Sequence, residues 1–240
     1  MINKIFIFII CFMFFYILTS CDNTDNEVSG SLSGIALGFD DYSPDTWEQH
    51  FDLFDKYNVK VTFFVTGNSV TQFMLDAQER GHEIAYHTIN HFSLPEISRE
   101  QFFEETISRI NIFKDGGIEL VTFAYPYGVY KNWMHNELLE YYMIVRGFRG
   151  SRNYTLEEMK HGFVDSMSID NIRYKSEVSF KLMIDNRLSI AKKNKSIALL
   201  TSHQISSEDW GITTERLEYL LNRGQEMELK FFTYKELQNW

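Results

Sequence analysis

"GIALGFDDYSPDTWEQHFDLFDKYNVKVTFFV", residues 34–65, is the stretch of sequence that decides the fold. It begins and ends with short apolar runs, at 34–39 and 59–65, whose branched and aromatic residues predict buried strands. Between these runs, Ser43 and Pro44 are placed to begin a helix that continues to residue 57. The stretch therefore predicts a strand, a crossover helix and a second strand, which is the unit of parallel sheets.

The same alternation of strand and helix patterns continues to the end of the chain. Further strands are predicted at 82–87, 119–126, 143–148, 163–169, 196–202 and 228–234. Helices are predicted between them at 69–80, 98–113, 132–142, 176–194 and 213–224, and Ser98 and Gln101 are spaced as a capping box. Strands that are apolar throughout indicate a parallel sheet covered by helices. We expect one domain over residues 33–240, an α/β fold whose seven or eight parallel strands form a (β/α) barrel.

The first 20 residues have the pattern of an export signal. Lys4 precedes 14 apolar residues, 5–18, which as a helix span about 21 Å, short of the roughly 30 Å hydrocarbon core. Leu18-Thr19-Ser20-Cys21 resembles a bacterial lipobox. This resemblance implies cleavage before Cys21 and acylation of Cys21, and residues 21–32 then form a flexible tether. We expect an exported lipoprotein, anchored to a membrane and facing the periplasm or the cell surface; an ordinary signal peptide is the alternative.

Composition narrows the chemistry of the mature chain. The net charge of the full 240-residue sequence, −10, argues against nucleic acid as a partner, because phosphate binding relies on clustered Lys and Arg. The two cysteines, Cys11 and Cys21, lie in or at the end of the signal, so the mature domain has none for a disulfide or a thiolate metal site. The sequence does not indicate an oligomeric state.

Polar residues cluster where the predicted strands end. Asp40 and Asp41 follow the first strand, His87 ends the third, and His203 follows the penultimate strand. The carboxyl ends of parallel strands meet on one side of such a fold, which is where its functional groups lie. We therefore expect these side chains to share one rim, together with His91 and the turn at 125–128.

Two imidazoles and a carboxylate make a metal site that leaves coordination positions open. Asp41, His87 and His91 are the candidate ligands, and they would accept zinc, cobalt, nickel or iron. Zinc is expected first. The same residue types also form non-haem iron sites, which the alternation of strands and helices disfavours here.

The neighbouring groups predict hydrolysis. A bound ion lowers the pKa of its water to roughly 7, and Asp40 would take the proton from that water. His203 would protonate the leaving group, a step typically worth about 10² to 10⁴ in rate. The backbone N–H of Tyr127 would face the oxyanion. Of the aromatic residues near the rim, Trp210 is preferred over Tyr130 and Trp133 as the surface on which a sugar ring stacks.

Five segments in this order, "GFDD", "TFFVTGN", "GHEIAYHTINH", "FAYPYG" and "LLTSH", resemble the polysaccharide deacetylase (NodB-homology) family, carbohydrate esterase family four. The resemblance covers residues 33–238. It implies a distorted (β/α) barrel, zinc or another divalent ion, and hydrolysis of N- or O-acetyl groups on a glycan. It implies the roles already given for the metal ligands, for Asp40 and for His203, and it adds Leu200 as part of an apolar pocket for the acetyl group.

Two positions depart from the family pattern. The arginine that orients the catalytic Asp in the family is replaced by Ala124, and the Asp-x-x-Asp-Trp motif that supports the acid His has no match. Nearby residues are candidates for the missing arginine (Arg146, Arg149, Arg152) and for the missing acid (Asp165, Asp170, Asp209). The sequence therefore predicts a metal-dependent deacetylase acting on a cell-envelope or extracellular polysaccharide. The alternative is a surface lipoprotein that keeps this fold but binds a glycan without turning it over.

Overall fold

The computed structural model describes residues 32–238. Its strands are β1 (Gly34–Phe39), β2 (Thr62–Val65), β3 (Glu83–Tyr86), β4 (Thr122–Ala124), β5 (Ile144–Gly147), β6 (Phe163–Asp165), β7 (Met167–Ser168), β8 (Ile197–Ser202), β9 (Gln204–Ile205), β10 (Gly211–Ile212) and β11 (Lys230–Phe232). Its α-helices are α1 (Pro44–Glu48), α2 (Phe51–Lys56), α3 (Gln72–Glu79), α4 (Arg99–Thr106), α5 (Ile110–Asp115), α6 (Asn132–Leu139), α7 (Leu156–Met159), α8 (Glu177–Asn194) and α9 (Thr214–Glu226). Short 3₁₀ turns lie at Leu94–Glu96, Pro126–Gly128, Asn171–Arg173 and Lys235–Gln238.

The main sheet is parallel and nearly closed. Its strands follow the order β6-β5-β4-β3-β2-β1-β8-β7, and β11 pairs with the first half of β1. The strands at the two ends of this order, β6 and β7, are separated in sequence by Ser166 alone. The ends of the sheet therefore lie next to each other, and the predicted α/β barrel of parallel strands is confirmed.

Alternate residues of the strands pack on two different sides of the sheet. Ile35, Leu37 and Phe39 of β1 belong to the larger core, which the helices cover. Ala36 belongs to a second, smaller core with inward-facing residues such as Phe64 and Ala124, and this core fills the barrel. Strands that are buried on both faces explain why the sequence shows continuous apolar runs rather than alternation.

Some elements differ in detail from the sequence prediction. The helix expected at 43–57 is divided into two helices near His50. Nδ1 of the His50 side chain contacts the carbonyl oxygen of Thr46 at 2.7 Å, where the backbone N–H of His50 would bond in a continuous helix. The strand expected at 163–169 is interrupted at Ser166, whose backbone bonds to residues 147 and 150 where the chain passes from β6 to β7. The Ser98–Gln101 capping box is present, whereas the Ser43 side chain makes no capping bond.

The predictions for the N-terminus lie almost wholly outside the described residues. They concern the signal peptide at 1–20, the acylated Cys21 and the tether at 21–32, of which only residue 32 is described. Within residues 32–238, none of the helices has the length and apolarity needed to cross a bilayer.

Candidate metal centre and catalytic site

Three predicted ligands meet at the carboxyl ends of β1 and β3. Oδ1 of Asp41 lies 3.4 Å from Nε2 of His87 and 3.1 Å from Nε2 of His91, and the two Nε2 atoms are 3.2 Å apart. Among the described residues, this is the group of acidic, histidine or cysteine side chains that is arranged to hold a metal ion. The sequence prediction that these three residues lie together is therefore confirmed.

The contacts of the ligands fit a cation. Nδ1 of His87 lies 2.8 Å from the carbonyl oxygen of Ala124, which can only accept, so Nδ1 carries the proton and Nε2 presents a lone pair to the cluster. Oδ1 of Asp41 is buried, and no described donor is aligned with it. Lone pairs this close repel one another unless a proton or a metal ion lies between them. The donor set is the one that divalent metals of the zinc type prefer.

The protonation of Asp41 supports the same assignment. Burial acts to raise the pKa of this carboxyl, but positive charge held as protons on the neighbouring imidazoles of His87 and His91 outweighs burial and holds the pKa well below its usual range. Asp41 is therefore ionised across the physiological range, as a metal ligand must be.

The segment between the two histidines is held by a buried acid on α4. Glu105 accepts hydrogen bonds from the backbone N–H groups of Ile89 and Asn90, at 3.1 and 2.8 Å, and from the Asn90 side chain. Glu105 is 4% exposed, so these bonds are protected from water. They fix the loop that carries His91. Sequence reasoning missed Glu105, because nothing in the helical pattern of α4 distinguishes it from the other acids there.

Left-handed backbone is concentrated around this site. Asp41, Thr88, His91 and Tyr127 have φ values of 75°, 75°, 57° and 57° although none is glycine. Such conformations cost of order 1–3 kcal/mol each and persist where the surrounding structure imposes them. The ligand loops are thus held in place at the expense of stability, which is typical of functional sites.

Asp40 is fixed by an arginine from the neighbouring part of the sheet. Nη2 of Arg146 lies 2.6 and 2.7 Å from the two carboxylate oxygens of Asp40, and both residues are buried. Nη1 of Arg146 donates to Oγ of Ser166 at 2.8 Å, and the guanidinium lies 4.5 Å from the ring centre of Phe64. Arg146 therefore takes the place that the missing family arginine would fill.

The register of the sheet explains this replacement. Arg146 on β5 is the direct partner of Ala124 on β4, the position at which the family pattern has its arginine. Partners in a parallel ladder point to the same side, here the inside of the barrel. With the small Ala124 on β4 and the long Arg146 on β5, the guanidinium comes from the neighbouring strand and still reaches the carboxylate of Asp40. The sequence signal for Arg146 was an arginine inside the apolar run of β5.

His203 is held by Asp170, one of the acids considered from the sequence. Nδ1 of His203 lies 3.1 and 3.2 Å from the two carboxylate oxygens of Asp170, which is fully buried. Burial disfavours the charged imidazole, but Asp170, with smaller contributions from Asp40 and Asp41, raises the pKa of His203 to about 9. His203 is therefore protonated at neutral pH. The indole Nε1 of Trp47 donates to the carbonyl oxygen of His203 at 2.8 Å and fixes the His203 backbone.

These groups line one cavity of about 460 Å³. Besides Asp40, Asp41 and the three histidines, the lining residues are Tyr125, Tyr127, Gly128, Phe148, Arg173 and Trp210. Trp210 is 48% exposed and its ring centre lies 5.5 Å from that of His203. Phe148 and Arg173 were not expected from the sequence. Phe148 is the last residue of the strand predicted at 143–148 and was not singled out there, and Arg173 lies in a 3₁₀ turn that periodicity does not place.

The other expected residues are distributed as follows. Tyr127 lines the cavity, with its ring centre 4.6 Å from that of His91. Leu200 is buried in the larger core on β8 and is not among the residues that line the cavity, so its role in an acetyl pocket stays a prediction. Trp133 packs on Phe102, and Tyr130 packs on His135.

Comparison with known proteins agrees with this geometry. Residues 29–143 match the model of the family described as polysaccharide deacetylase. Over 129 residues the chain is 31% identical to the bifunctional xylanase/deacetylase of Pseudobutyrivibrio xylanivorans, covering 50% of this chain and 21% of that protein. Over 109 residues it is 30% identical to the peptidoglycan-N-acetylglucosamine deacetylase PgdA of Listeria monocytogenes, covering 43% and 23%. The chain thus spans less than a quarter of the length of these relatives.

A solved structure extends the similarity to most of the fold. The peptidoglycan deacetylase PdaC of Bacillus subtilis superposes with a TM-score of 0.59 over 87% of this chain and 91% of that one, at 18% identity. At this identity the match concerns the fold. The family model matches just under half of the chain, and the structural neighbour shares its fold over most of it.

Proposed function

We propose that the protein is a metal-dependent hydrolase that removes acetyl groups from a polysaccharide. One observation carries the proposal. In a single cavity, the Asp41, His87 and His91 cluster is accompanied by two further polar groups, each fixed by a buried partner of opposite charge: Asp40 by Arg146, and His203 by Asp170. A carboxylate and an imidazolium beside a metal site are the base and the acid that amide or ester hydrolysis needs.

We propose zinc as the ion, held by Asp41, His87 and His91; the same donors would accept cobalt, nickel or iron. When bound, such an ion polarises the acetyl carbonyl and lowers the pKa of water to about 7. His87 is already oriented for this role by the carbonyl oxygen of Ala124, an outer contact of the kind that fixes the tautomer of ligating histidines.

Asp40 acts as the general base. Its carboxylate accepts the proton of the attacking water, while Arg146 keeps it in position and stabilises its charge. His203, protonated at neutral pH, donates its proton to the leaving amine nitrogen or alcohol oxygen as the bond to the acetyl carbon breaks. The products are acetate and the free amino or hydroxyl group of the sugar.

Two further lining residues are assigned to substrate contact. The backbone N–H of Tyr127, on its left-handed turn, is proposed to face the oxyanion. The exposed ring of Trp210 is proposed as the surface for a sugar ring. The acetyl group would lie against apolar side chains, for which Leu200 is the sequence candidate; Tyr125 and Phe148 are among the aromatic residues that line the cavity.

The substrate is proposed to be a cell-envelope or extracellular acetylated polysaccharide. One matched relative is named a bifunctional xylanase/deacetylase and the other a peptidoglycan-N-acetylglucosamine deacetylase, which supports a glycan of this general kind. The alternative of a glycan-binding protein without turnover was motivated by the absence of the family arginine and of the Asp-Trp motif. Arg146 pairs with Asp40 and Asp170 pairs with His203, so a charged partner is present for each, which supports the enzyme over the alternative.

Location is a separate proposal. The lipobox-like segment ending at Cys21 supports an exported lipoprotein, attached to a membrane through this residue and facing the periplasm or the cell surface. Labelling of the expressed full chain with a palmitate analogue would test it. Label on the parent and none on Cys21→Ala is expected, and equal labelling of both would contradict the anchor.

The function is tested by acetate release from a panel of acetylated glycans: chitooligosaccharide, peptidoglycan, acetylated xylan and an acetylated exopolysaccharide. The protein is assayed after metal stripping and again with zinc restored. Release that requires zinc is expected from at least one glycan, and that glycan identifies the substrate class. Release that is unaffected by stripping would contradict the metal-dependent mechanism.

A further inference from the structure

We infer that Arg173 and Trp210 form a subsite that binds a carboxylate on the glycan substrate, so that acidic sugars are preferred over neutral ones. The inference rests on the proposed deacetylase function and specifies its substrate class. Both residues line the cavity that contains the metal ligands, and the Arg173 guanidinium lies 5.9 Å from the ring centre of Trp210.

Within the described part of the chain, the charge of Arg173 has no acidic partner. In the same cavity, Asp40 is paired with Arg146, Asp41 faces two imidazoles, and His203 is paired with Asp170. None of the ion pairs or side-chain hydrogen bonds within residues 32–238 involves the Arg173 guanidinium. An arginine on the wall of a concave site with no acidic partner has its planar edge of N–H donors free for an oxyanion.

The backbone around Arg173 is held in place rather than loose. Its N–H donates to the carbonyl oxygen of Asp170, the residue that also fixes His203. The neighbouring Ile172 donates to the carbonyl oxygen of Asp209, directly before Trp210. Asn171 joins the same two segments through bonds to the carbonyl oxygens of residues 206 and 208. The loops that carry Arg173 and Trp210 are therefore fixed to each other and to the acid His203.

This arrangement selects the position and the type of the anion. The ring centre of Trp210 lies 5.5 Å from that of His203 and 5.9 Å from the Arg173 guanidinium. A sugar stacked on the indole, with its acetyl group toward the metal ligands, would direct another substituent toward the guanidinium. One arginine without an acidic partner, in a cavity that also contains Asp40 and Asp41, suits one carboxylate better than a doubly charged phosphate.

The test compares two matched substrates. One is the neutral tetramer of N-acetylglucosamine, and the other is the same tetramer with its primary hydroxyls oxidised to carboxylates. Values of kcat/KM are measured with zinc for the parent protein, Arg173→Gln and Arg173→Lys. Lys114→Gln is the control, because it removes one positive charge from an exposed residue of α5 that does not line the cavity.

A charge-assisted contact predicts that the parent prefers the carboxylated tetramer by about tenfold in kcat/KM. Arg173→Gln is expected to abolish this preference, Arg173→Lys to retain part of it, and Lys114→Gln to retain all of it. A parent without the preference, or an Arg173→Gln variant that keeps it, overturns the inference.

A binding measurement separates this inference from the proposed function. Dissociation constants of the deacetylated forms of both tetramers are measured by calorimetry for the parent and Arg173→Gln. If the parent releases no acetate from either tetramer, an Arg173-dependent tenfold difference in Kd still supports the subsite, while the deacetylase proposal fails for these substrates. Equal Kd values for both proteins on the carboxylated tetramer overturn the subsite, whatever the activity.

Discussion

Removing the Arg146 guanidinium tests most directly whether Arg146 does the work of the family arginine that is absent at Ala124. Arg146→Met keeps an unbranched side chain in the barrel but leaves the carboxylate of Asp40, which is 3% exposed, without its partner. Removing one member of a buried ion pair typically costs about 3–5 kcal/mol of stability, because the other charge stays buried and unpaired. Arg146→Lys keeps the charge, but its single ammonium cannot serve both Asp40 and Ser166 as the two Nη atoms do.

The effect on turnover follows from the same contacts. Hydrogen bonds to charged groups contribute about 1.5–3 kcal/mol, so the loss of one that positions the base corresponds to about a ten- to hundredfold fall in kcat. Because Arg146 does not line the cavity, KM is expected to change little. Ala124→Arg combined with Arg146→Ala returns a guanidinium from the adjacent strand and is expected to recover much of the lost kcat.

The assay is steady-state acetate release at equal zinc content, with urea unfolding measured on each variant. Arg152→Lys is the control, since Arg152 lies on the exposed surface and pairs with Glu158. An Arg146→Lys variant that matches the parent in kcat would refute the positioning role. Recovery in the double variant that is no better than in Arg146→Ala would refute the exchange between neighbouring strands.

Three further outcomes are expected. In Asp170→Asn the pKa of His203 should fall from about 9 toward its ordinary 6.5. Because His203 must be protonated to act as the acid, the alkaline decline of kcat should move to lower pH. An unchanged pH profile would exclude His203 as the acid. The same raised pKa means that the free energy of unfolding contributed by this pair is fully present below pH 6.5 and is lost as pH rises through 9, so the parent should destabilise over this window more than Asp170→Asn in urea titrations. Glu105→Gln should weaken zinc binding by about tenfold in a chelator competition, because the loop before His91 loses its charged acceptor. The control Glu100→Gln, at an exposed position of the same helix, should bind zinc as the parent does. Equal zinc affinities of Glu105→Gln and the parent would show that the loop needs no such support.

Local patterns were sufficient for much of the fold. Apolar runs and helix caps locate the β/α units, and the rule that functional groups follow parallel strands correctly predicts that Asp41, His87 and His91 share one rim. The interruptions at His50 and Ser166 were not predicted, because each depends on a contact that neither hydrophobic periodicity nor helix propensity registers.

The buried partners of Asp40 and His203 were harder to predict. Arg146, Arg149 and Arg152 were equivalent candidates along the chain, and only the pairing of Ala124 with Arg146 decides which of them faces Asp40. Asp170 was one of three acids for the same reason. The choice depends on strand register and on contacts between residues more than 30 positions apart, and a single sequence does not encode these as a local pattern.

The most direct test of the central claim compares acetate release by the parent and by Asp40→Asn at equal bound zinc. The account predicts that the substitution leaves the metal site intact and lowers kcat by about a hundredfold or more, the usual contribution of a general base. Equal turnover by both proteins would contradict the role of Asp40. A parent that binds one zinc through His87 and His91 but releases no acetate from any glycan of the panel would instead favour a glycan-binding protein that retains the deacetylase fold.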